Sequence, residues 1–276
     1  MTNLFNYIDR QSAIHKLTGA SKLAALILWS FAAMGTFDTS LLALYSLLAI
    51  LLLPLSKIKI KDVKFLFWFS FVFMLLNNVL IFVFSPQHGV SIYGTRTVVF
   101  GEFGRYTLVY EQLFYHLNVV LKYIATIPVV IVFVSTTDPS EFASSLSRIG
   151  VSYKIAYSVS LALRYIPDIQ REYHDISQSQ QARGLEMAAK KEGLINRLKN
   201  AATMLFPLII SSMERIEVVA NAMELRGFGK GKKRTWYSAR PFRKGDYFAF
   251  VFTVLMLIAS LFMNFMNGSR FYNPFI

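Results

Sequence analysis

The sequence has no cysteine, has few acidic residues and contains no phosphate-binding loop. The absence of cysteine excludes disulfides, cysteine-ligated zinc sites and thiol catalysis. No segment has the Gly-x-x-x-x-Gly-Lys-Ser/Thr spacing, so ATP hydrolysis is not encoded in this chain. No nucleophile, base and orienting group occur in a recognisable set. We therefore expect a non-catalytic protein with no catalytic, cofactor-binding or metal-binding residues of its own.

Apolar residues, in contrast, are abundant and occur in long runs. The 276 residues are 54% hydrophobic, above the roughly 45–50% of soluble domains, and the mean hydropathy is +0.43. Crossing a bilayer takes about 20 apolar residues. Five segments approach that length: Leu23–Phe37, Ser40–Leu55, Phe65–Phe84, Leu117–Val134 and Tyr247–Met266. The predicted fold class is an all-α membrane protein with about five transmembrane helices.

The basic residues predict an orientation in the cell membrane. The 29 Lys and Arg outnumber the 16 acidic residues, and cytoplasmic loops are the ones enriched in Lys and Arg. The connection 56–64 carries four lysines, Lys57, Lys59, Lys61 and Lys64. Placing it in the cytoplasm makes the N-terminus cytoplasmic, the loop 85–116 extracellular, the segment 135–246 cytoplasmic and the C-terminus extracellular.

This orientation predicts a division into three parts. Residues 1–134 form a membrane domain with four transmembrane helices, and residues 135–246 form a cytoplasmic domain. Residues 247–276 form the last transmembrane helix and an extracellular tail. The extracellular loop contains glycine-bounded runs rich in Val, Tyr and Thr, which predict a small β-hairpin.

Two polar features lie inside the predicted spans. Asn77 and Asn78 interrupt the third span, where small polar side chains either mark function or hold helices together; we favour the second interpretation. Lys122 lies near the outer end of its span, where its long stem would let the ammonium group reach the membrane surface.

The cytoplasmic segment begins with a short predicted helix. Thr137 or Asp138 is suited to cap its N-terminus, and Pro139 is suited to its first position. Glu141 is favoured near the positive end of the helix dipole. The helix should stop at Gly150.

Two longer helices follow, each predicted by apolar residues at steps of three and four. The first stripe is Ile155, Val159, Ala162, Ile166, Ile169, Tyr173 and Ile176. The second stripe is Leu198, Ala201, Leu205, Leu208, Ser212, Ile216, Val219 and Met223. Each helix is expected to be ~45–50 Å long and to be kinked by an internal proline, Pro167 in the first and Pro207 in the second.

Each long helix ends in an Arg-Gly pair, and these ends are the candidate functional site. Their residues are Ala182, Arg183 and Gly184, and Leu225, Arg226 and Gly227. A capping glycine and a cation at the negative helix end explain either pair alone, at roughly 1 kcal/mol. Two such ends occur in one segment, and arginine suits a carboxylate on a partner. The more specific hypothesis is therefore that the two ends dock into two similar grooves.

Four methionines either pack in the ordinary way or form a soft surface for a partner: Met187, Met204, Met213 and Met223.

Four motifs, taken in order, resemble one known family. They are Thr136-Thr137-Asp138-Pro139, Leu163-Arg164-Tyr165-Ile166-Pro167, Gln181-Ala182-Arg183-Gly184 and Ala222-Met223-Glu224-Leu225-Arg226-Gly227-Phe228. The chain resembles the transmembrane T component of energy-coupling factor (ECF) transporters, which includes the cobalt-transporter permeases. Each motif alone is weak, whereas the ordered set is specific and covers most of the chain.

The resemblance implies a scaffold subunit of an ABC-type importer with two long, crossed cytoplasmic helices. Their ends, at Arg183 and Arg226, would dock into two partner ATPases that bind ATP. A separate substrate-binding membrane subunit, the S component, would take up a vitamin or a metal ion. Apart from the lipid bilayer, no further partner is expected, and nucleic acid is not.

Two alternatives remain. A stand-alone secondary transporter would have ionisable residues deep in its spans and inverted repeats with broken helices. A membrane-bound enzyme would need the catalytic constellation that the sequence lacks.

Overall fold

The computed structural model describes residues 10, 12–100, 104–184, 194–231, 235–266 and 271–274, without the side chains of 100, 105 and 194–200. In these ranges the first helices are α1 (Gly19–Gly35), α2 (Thr39–Ser56), α3 (Ile60–Phe84), α4 (His88–Tyr93) and α5 (Tyr110–Thr136). The later helices are α6 (Pro139–Arg148), α7 (Tyr153–Ala182), α8 (Leu194–Leu225) and α9 (Lys244–Met266). Two short strands, β1 (Val98–Phe100) and β2 (Leu108–Val109), complete the fold.

The chain divides into two compact units. The first combines Met1–Ser145 with Arg240–Ile276, and the second is Leu146–Ala239. The end of α5 and most of α6 therefore pack with the membrane helices. The assignment of residues 135–246 to a cytoplasmic domain stays a prediction, because packing does not report which side of a membrane a segment occupies.

The first unit has the helical architecture of a multi-pass membrane protein. Helices α2, α3, α5 and α9 are long and apolar enough to cross a bilayer, while α1, with 17 residues, is a shorter apolar helix. Residues 36–38 connect helices α1 and α2. Asp38 accepts hydrogen bonds from the N–H groups of Ser40 (3.0 Å) and Leu41 (3.2 Å), which fixes the start of α2.

Helix α5 is the centre of this unit, because α1, α2 and α3 all pack against it. The indole N–H of Trp29 donates to the Ala125 carbonyl at 2.8 Å, and its ring meets Tyr45 edge-on at 4.9 Å. The Tyr45 hydroxyl donates to the Met256 carbonyl at 2.7 Å. These bonds tie α1, α2, α5 and α9 together around a buried apolar core.

The prediction that Asn78 joins helices is confirmed. Its carboxamide oxygen lies 3.0 Å from Nδ1 of His116, which connects α3 to α5.

The prediction that Lys122 reaches the membrane surface is wrong. The side chain is buried, its ammonium group donates to the Met34 carbonyl at 2.8 Å, and it lies 3.2 Å from the centre of the Phe37 ring. The last carbonyls of α1 lack helical partners and so offer the lysine an acceptor.

The predicted β-hairpin is present, as β1 and β2 pair in antiparallel register with Val98 opposite Val109. Helix α5 starts seven residues before the predicted span, at Tyr110. The reason is that Glu111, although charged, is buried and accepts hydrogen bonds from the Thr97 N–H and hydroxyl groups (3.0 and 2.9 Å). Because its carboxylate has partners within the chain, Glu111 lies inside the helix, whereas hydropathy alone starts the helix later.

Helix α6 begins and ends as predicted, with Pro139 first and Gly150 beyond its end at φ +106°. Asp138 accepts from the Ser140 N–H at 2.7 Å, as an N-cap does. The Glu141 carboxylate accepts from the Gly19 N–H at 2.9 Å. It therefore caps the first turn of α1, and not only its own helix.

Candidate functional site

Helices α7 and α8 form the body of the second unit and run antiparallel. Their middles are joined by Glu172, which accepts hydrogen bonds from the Ser211 hydroxyl and from the Arg215 guanidinium, the latter at 2.7 Å. At the other end, Phe228, just beyond α8, packs on Tyr157 near the start of α7, with ring centres 4.9 Å apart. The C-terminal end of α8 therefore lies beside the N-terminal end of α7.

A groove of about 600 Å³ lies between the two helices. Ile169, Ile216, Val219 and Met223, all predicted stripe residues, line it. Among the residues that the structure describes, no group of three or more His, Cys, Asp or Glu side chains is arranged to hold a metal ion. The groove lining is mainly apolar and also contains Arg215 and Glu224.

The C-terminus of α7 is fixed by the Arg183-Gly184 pair. Arg183 is the C-cap, and its N–H donates to the Ser179 carbonyl at 3.2 Å. Gly184 has φ +89°, the left-handed conformation that glycine adopts without a steric cost. Its N–H donates to the Gln181 carbonyl at 2.9 Å, one of the bonds that close a helix end.

The C-terminus of α8 repeats this geometry. The Arg226 N–H donates to the Ala222 carbonyl at 3.2 Å, and Gly227, at φ +68°, donates to the Glu224 carbonyl at 2.9 Å. A further bond from the Phe228 N–H to the Met223 carbonyl, at 2.9 Å, completes a Schellman motif. Both arginines therefore leave the helix from the same cap position.

The residues of both ends face solvent. Ala182, Arg183 and Gly184 are exposed, as is Arg226. Leu225 is 90% exposed.

The antiparallel arrangement places the two ends far apart. Arg183 lies eleven residues beyond Glu172 on α7, and Arg226 lies fifteen residues beyond Ser211 on α8. At a rise of 1.5 Å per residue, the two arginines are on the order of 40 Å apart. One compact groove cannot take both ends, whereas two separate grooves can.

Both predicted prolines lie inside their helices, Pro167 in α7 and Pro207 in α8. Each removes one backbone donor from the helical hydrogen-bond ladder. The kinks expected at these positions stay a prediction, as does the docking role of the two Arg-Gly ends.

The predicted stripes miss a second apolar face on α8. Its exposed side chains, each between 44% and 68% accessible and none of them in the predicted stripe, are Phe206, Ile209, Ile210, Met213 and Val218. The sequence pattern that indicates this face is the run LFPLII at 205–210, which is apolar on every face of the helix.

Of the four methionines, Met213 is exposed and Met223 lines the groove, whereas Met204 is fully buried and offers no partner surface. Met187 lies outside the described residues.

The sequence matches known proteins over most of its length. A family described as CbiQ, cobalt transport protein, matches residues 10–237. The chain belongs to this family. A relative, energy-coupling factor transporter transmembrane protein EcfT 1 of Listeria monocytogenes serotype 1/2a (strain 08-5578), is 26% identical over 92% of this chain and 94% of its own.

Two further relatives carry the name energy-coupling factor transporter transmembrane protein EcfT. The protein of Brevibacillus brevis (strain 47 / JCM 6285 / NBRC 100599) is 28% identical over 91% of this chain and 94% of its own. The protein of Streptococcus equi subsp. equi (strain 4047) is 27% identical over 92% and 93%. The resemblance to the T components of ECF transporters is therefore confirmed, and the chain is a membrane subunit of a transporter.

Proposed function

We propose that this chain couples ATP hydrolysis by two partner ATPases to the movement of a separate substrate-binding membrane subunit. The observation that carries the proposal is the pair of helix ends, which share one cap geometry and both present an arginine to solvent. Two equivalent contacts on the order of 40 Å apart suit two equivalent ATPase grooves.

The chain itself is a non-catalytic scaffold, and the ATP is bound by its partners. Closure of the two ATPases moves their grooves, and Arg183 and Arg226 carry that motion into α7 and α8. A helix transmits such a displacement because its hydrogen-bonded backbone is stiff. The ionic link from Glu172 to Arg215 couples the two helices, so that they respond together.

The apolar face of α8 supplies the second contact. Phe206, Ile209 and Met213 follow one another at helical spacing and are more than half exposed. An apolar membrane subunit that rests on this face would be tilted when α8 moves. The substrate, a vitamin or a metal ion, is chosen by that subunit.

The test reverses the charge of both arginines in the assembled transporter. With Arg183→Glu and Arg226→Glu together, we expect ATPase association to weaken by at least ~30-fold, as for loss of interface hot spots, and uptake to cease. Each single variant should retain part of the association. The measurements are co-purification with the ATPases and substrate uptake into proteoliposomes.

The matched control is Arg171→Glu, on the same helix as Arg183. Its side chain is 70% exposed and pairs only with Asp168 at 3.6 Å among the ion pairs described. This variant changes the net charge of α7 equally but leaves both helix ends intact, so association should be normal. Normal association and uptake in the double variant would disprove the docking role.

A further inference from the structure

The first unit contains a basic pocket that the coupling function does not use. Its volume is about 420 Å³, and its lining consists of Ser12, Ala13, Lys16, Leu17, Lys57, Arg243 and Gly245. The pocket lies where α2 ends and α9 begins, at the end of the membrane helices that is predicted to be cytoplasmic. Three cationic side chains therefore converge at the boundary between apolar spans and water.

Among the described residues, the acidic groups nearest in sequence to these cations, Asp62 and Asp246, are both bonded to other groups than the three cationic side chains, and Asp62 pairs with Arg10 at 2.8 Å. Asp246 accepts from the Thr18 N–H at 2.7 Å and from the Ser21 hydroxyl at 2.6 Å, and its other oxygen accepts from the backbone N–H of Arg243 at 2.7 Å. No Asp or Glu lies among the described residues that line the pocket. The pocket is therefore strongly positive and is suited to an anion.

Lys57 adds a second, independent observation. Its φ of +57° and ψ of +21° place it in the left-handed region, and among the described residues it is the one with positive φ that is not glycine. Glycine would adopt this conformation without strain. The Arg10 guanidinium donates to the Lys57 carbonyl and helps to hold it there. A lysine at a position that favours glycine indicates that its side chain is needed.

An apolar cavity of about 140 Å³ adjoins the basic pocket, and Leu17 lines both. Leu26, Leu52, Phe133 and Phe252 are among its walls. A polar headgroup in the basic pocket would have its hydrocarbon chain beside this cavity. A soluble anion would make no use of the cavity.

We propose that the basic pocket binds the phosphate headgroup of an anionic phospholipid, whose acyl chain packs along the neighbouring apolar cavity. Basic pockets between transmembrane helices on the cytoplasmic side are suited to such headgroups. The lipid bridges the N-terminal segment, the end of α2 and the start of α9. This site is separate from the two Arg-Gly ends and does not depend on the coupling function.

The test measures lipid retention by the full chain, purified in detergent and titrated with phosphatidylglycerol or phosphatidylcholine under native mass spectrometry. The unmodified chain should bind phosphatidylglycerol more tightly. The triple variant Lys16→Gln, Lys57→Gly and Arg243→Gln should bind it at least ~10-fold more weakly, with phosphatidylcholine binding unchanged. The control triple, Lys59→Gln, Lys61→Gln and Lys64→Gln, removes the same charge from residues outside the pocket lining and should bind normally.

The single variant Lys57→Gly separates binding from folding. It removes backbone strain, so its melting temperature in detergent should not fall, while its preference for phosphatidylglycerol should. Equal losses in the two triple variants would overturn the proposal in favour of diffuse surface charge. Competition by inorganic phosphate as effective as that by phosphatidylglycerol would overturn it in favour of a soluble anion.

Discussion

Helices α5 and α8 have similar lengths, 27 and 32 residues, and each contains one proline. Their surroundings differ. On α5, buried residues occur from Glu111 to Thr136, and the polar side chains of Glu111, Gln112 and Lys122 among them are hydrogen-bonded within the chain. On the described part of α8, Met204 and Leu208 are buried, while large apolar side chains face outward. Much of helix α5 is covered by residues of its own chain, whereas the exposed apolar side chains of α8 need a partner or a membrane to cover them.

The largest expected effect comes from removing a side chain that packs on α5. Trp29 is 2% exposed and bonds to the Ala125 carbonyl. We expect Trp29→Ala to lower the free energy of unfolding by about 3–5 kcal/mol, because it leaves a cavity in the buried core. The melting temperature in detergent measures this loss.

The counterpart on α8 is Phe206→Ala, since Phe206 is 67% exposed. It should change the stability of the chain by less than about 0.5 kcal/mol. A large destabilisation by Phe206→Ala would show that α8 is covered within its own chain and would remove the contrast with α5.

A smaller loss is expected where the start of α9 is tied to α1. Asp246→Ala leaves the Thr18 N–H, the Ser21 hydroxyl and the Arg243 N–H without their acceptor. Unsatisfied buried donors cost about 1–3 kcal/mol each, and partial hydration should limit the total to about 2–3 kcal/mol. The exposed Asp175 on α7 provides the control, and Asp175→Ala should be neutral in the same thermal assay.

The exposed face of α8 should matter for transport and not for folding. Ile209→Gln with Met213→Gln keeps helix propensity but makes that face polar. We expect uptake by the assembled transporter to fall at least tenfold, about 1.4 kcal/mol, with an unchanged melting temperature. Normal uptake would show that no partner rests on this face.

The smallest effect concerns the glycines of the two helix ends. Gly184→Ala and Gly227→Ala each force a left-handed alanine at a cost of about 1 kcal/mol, although no atom outside the adjacent residues lies close enough to clash. ATPase association should weaken about fivefold for each variant in a pull-down titration. The last helical residue Gly35 also has open space and does not have a positive φ, so Gly35→Ala should leave association unchanged.

The sequence was sufficient to predict the features that depend on local chemistry. Apolar runs located the membrane helices, Pro139 and Gly150 bounded α6, and Gly184 and Gly227 followed the ends of α7 and α8 as expected. These are properties of a few consecutive residues, so one sequence contains them.

The sequence was insufficient where a side chain finds its partner far along the chain. Lys122 is buried because the Met34 carbonyl and the Phe37 ring lie beside it. Glu111 extends α5 because Thr97 satisfies its carboxylate. The second apolar face of α8 was missed for a related reason. Periodicity finds one buried stripe, and LFPLII is apolar in every direction.

The two helix ends have the same backbone geometry, so they differ mainly in the side chain that precedes each arginine. Ala182 offers a methyl group, whereas Leu225 offers a branched group that is almost fully exposed. In the proposed docking, a shallow recess would accommodate the first and a deeper one the second. If the two partner ATPases differ from each other, this difference would direct each helix end to one of them. Exchanging Ala182 and Leu225 would then reverse which ATPase each end binds.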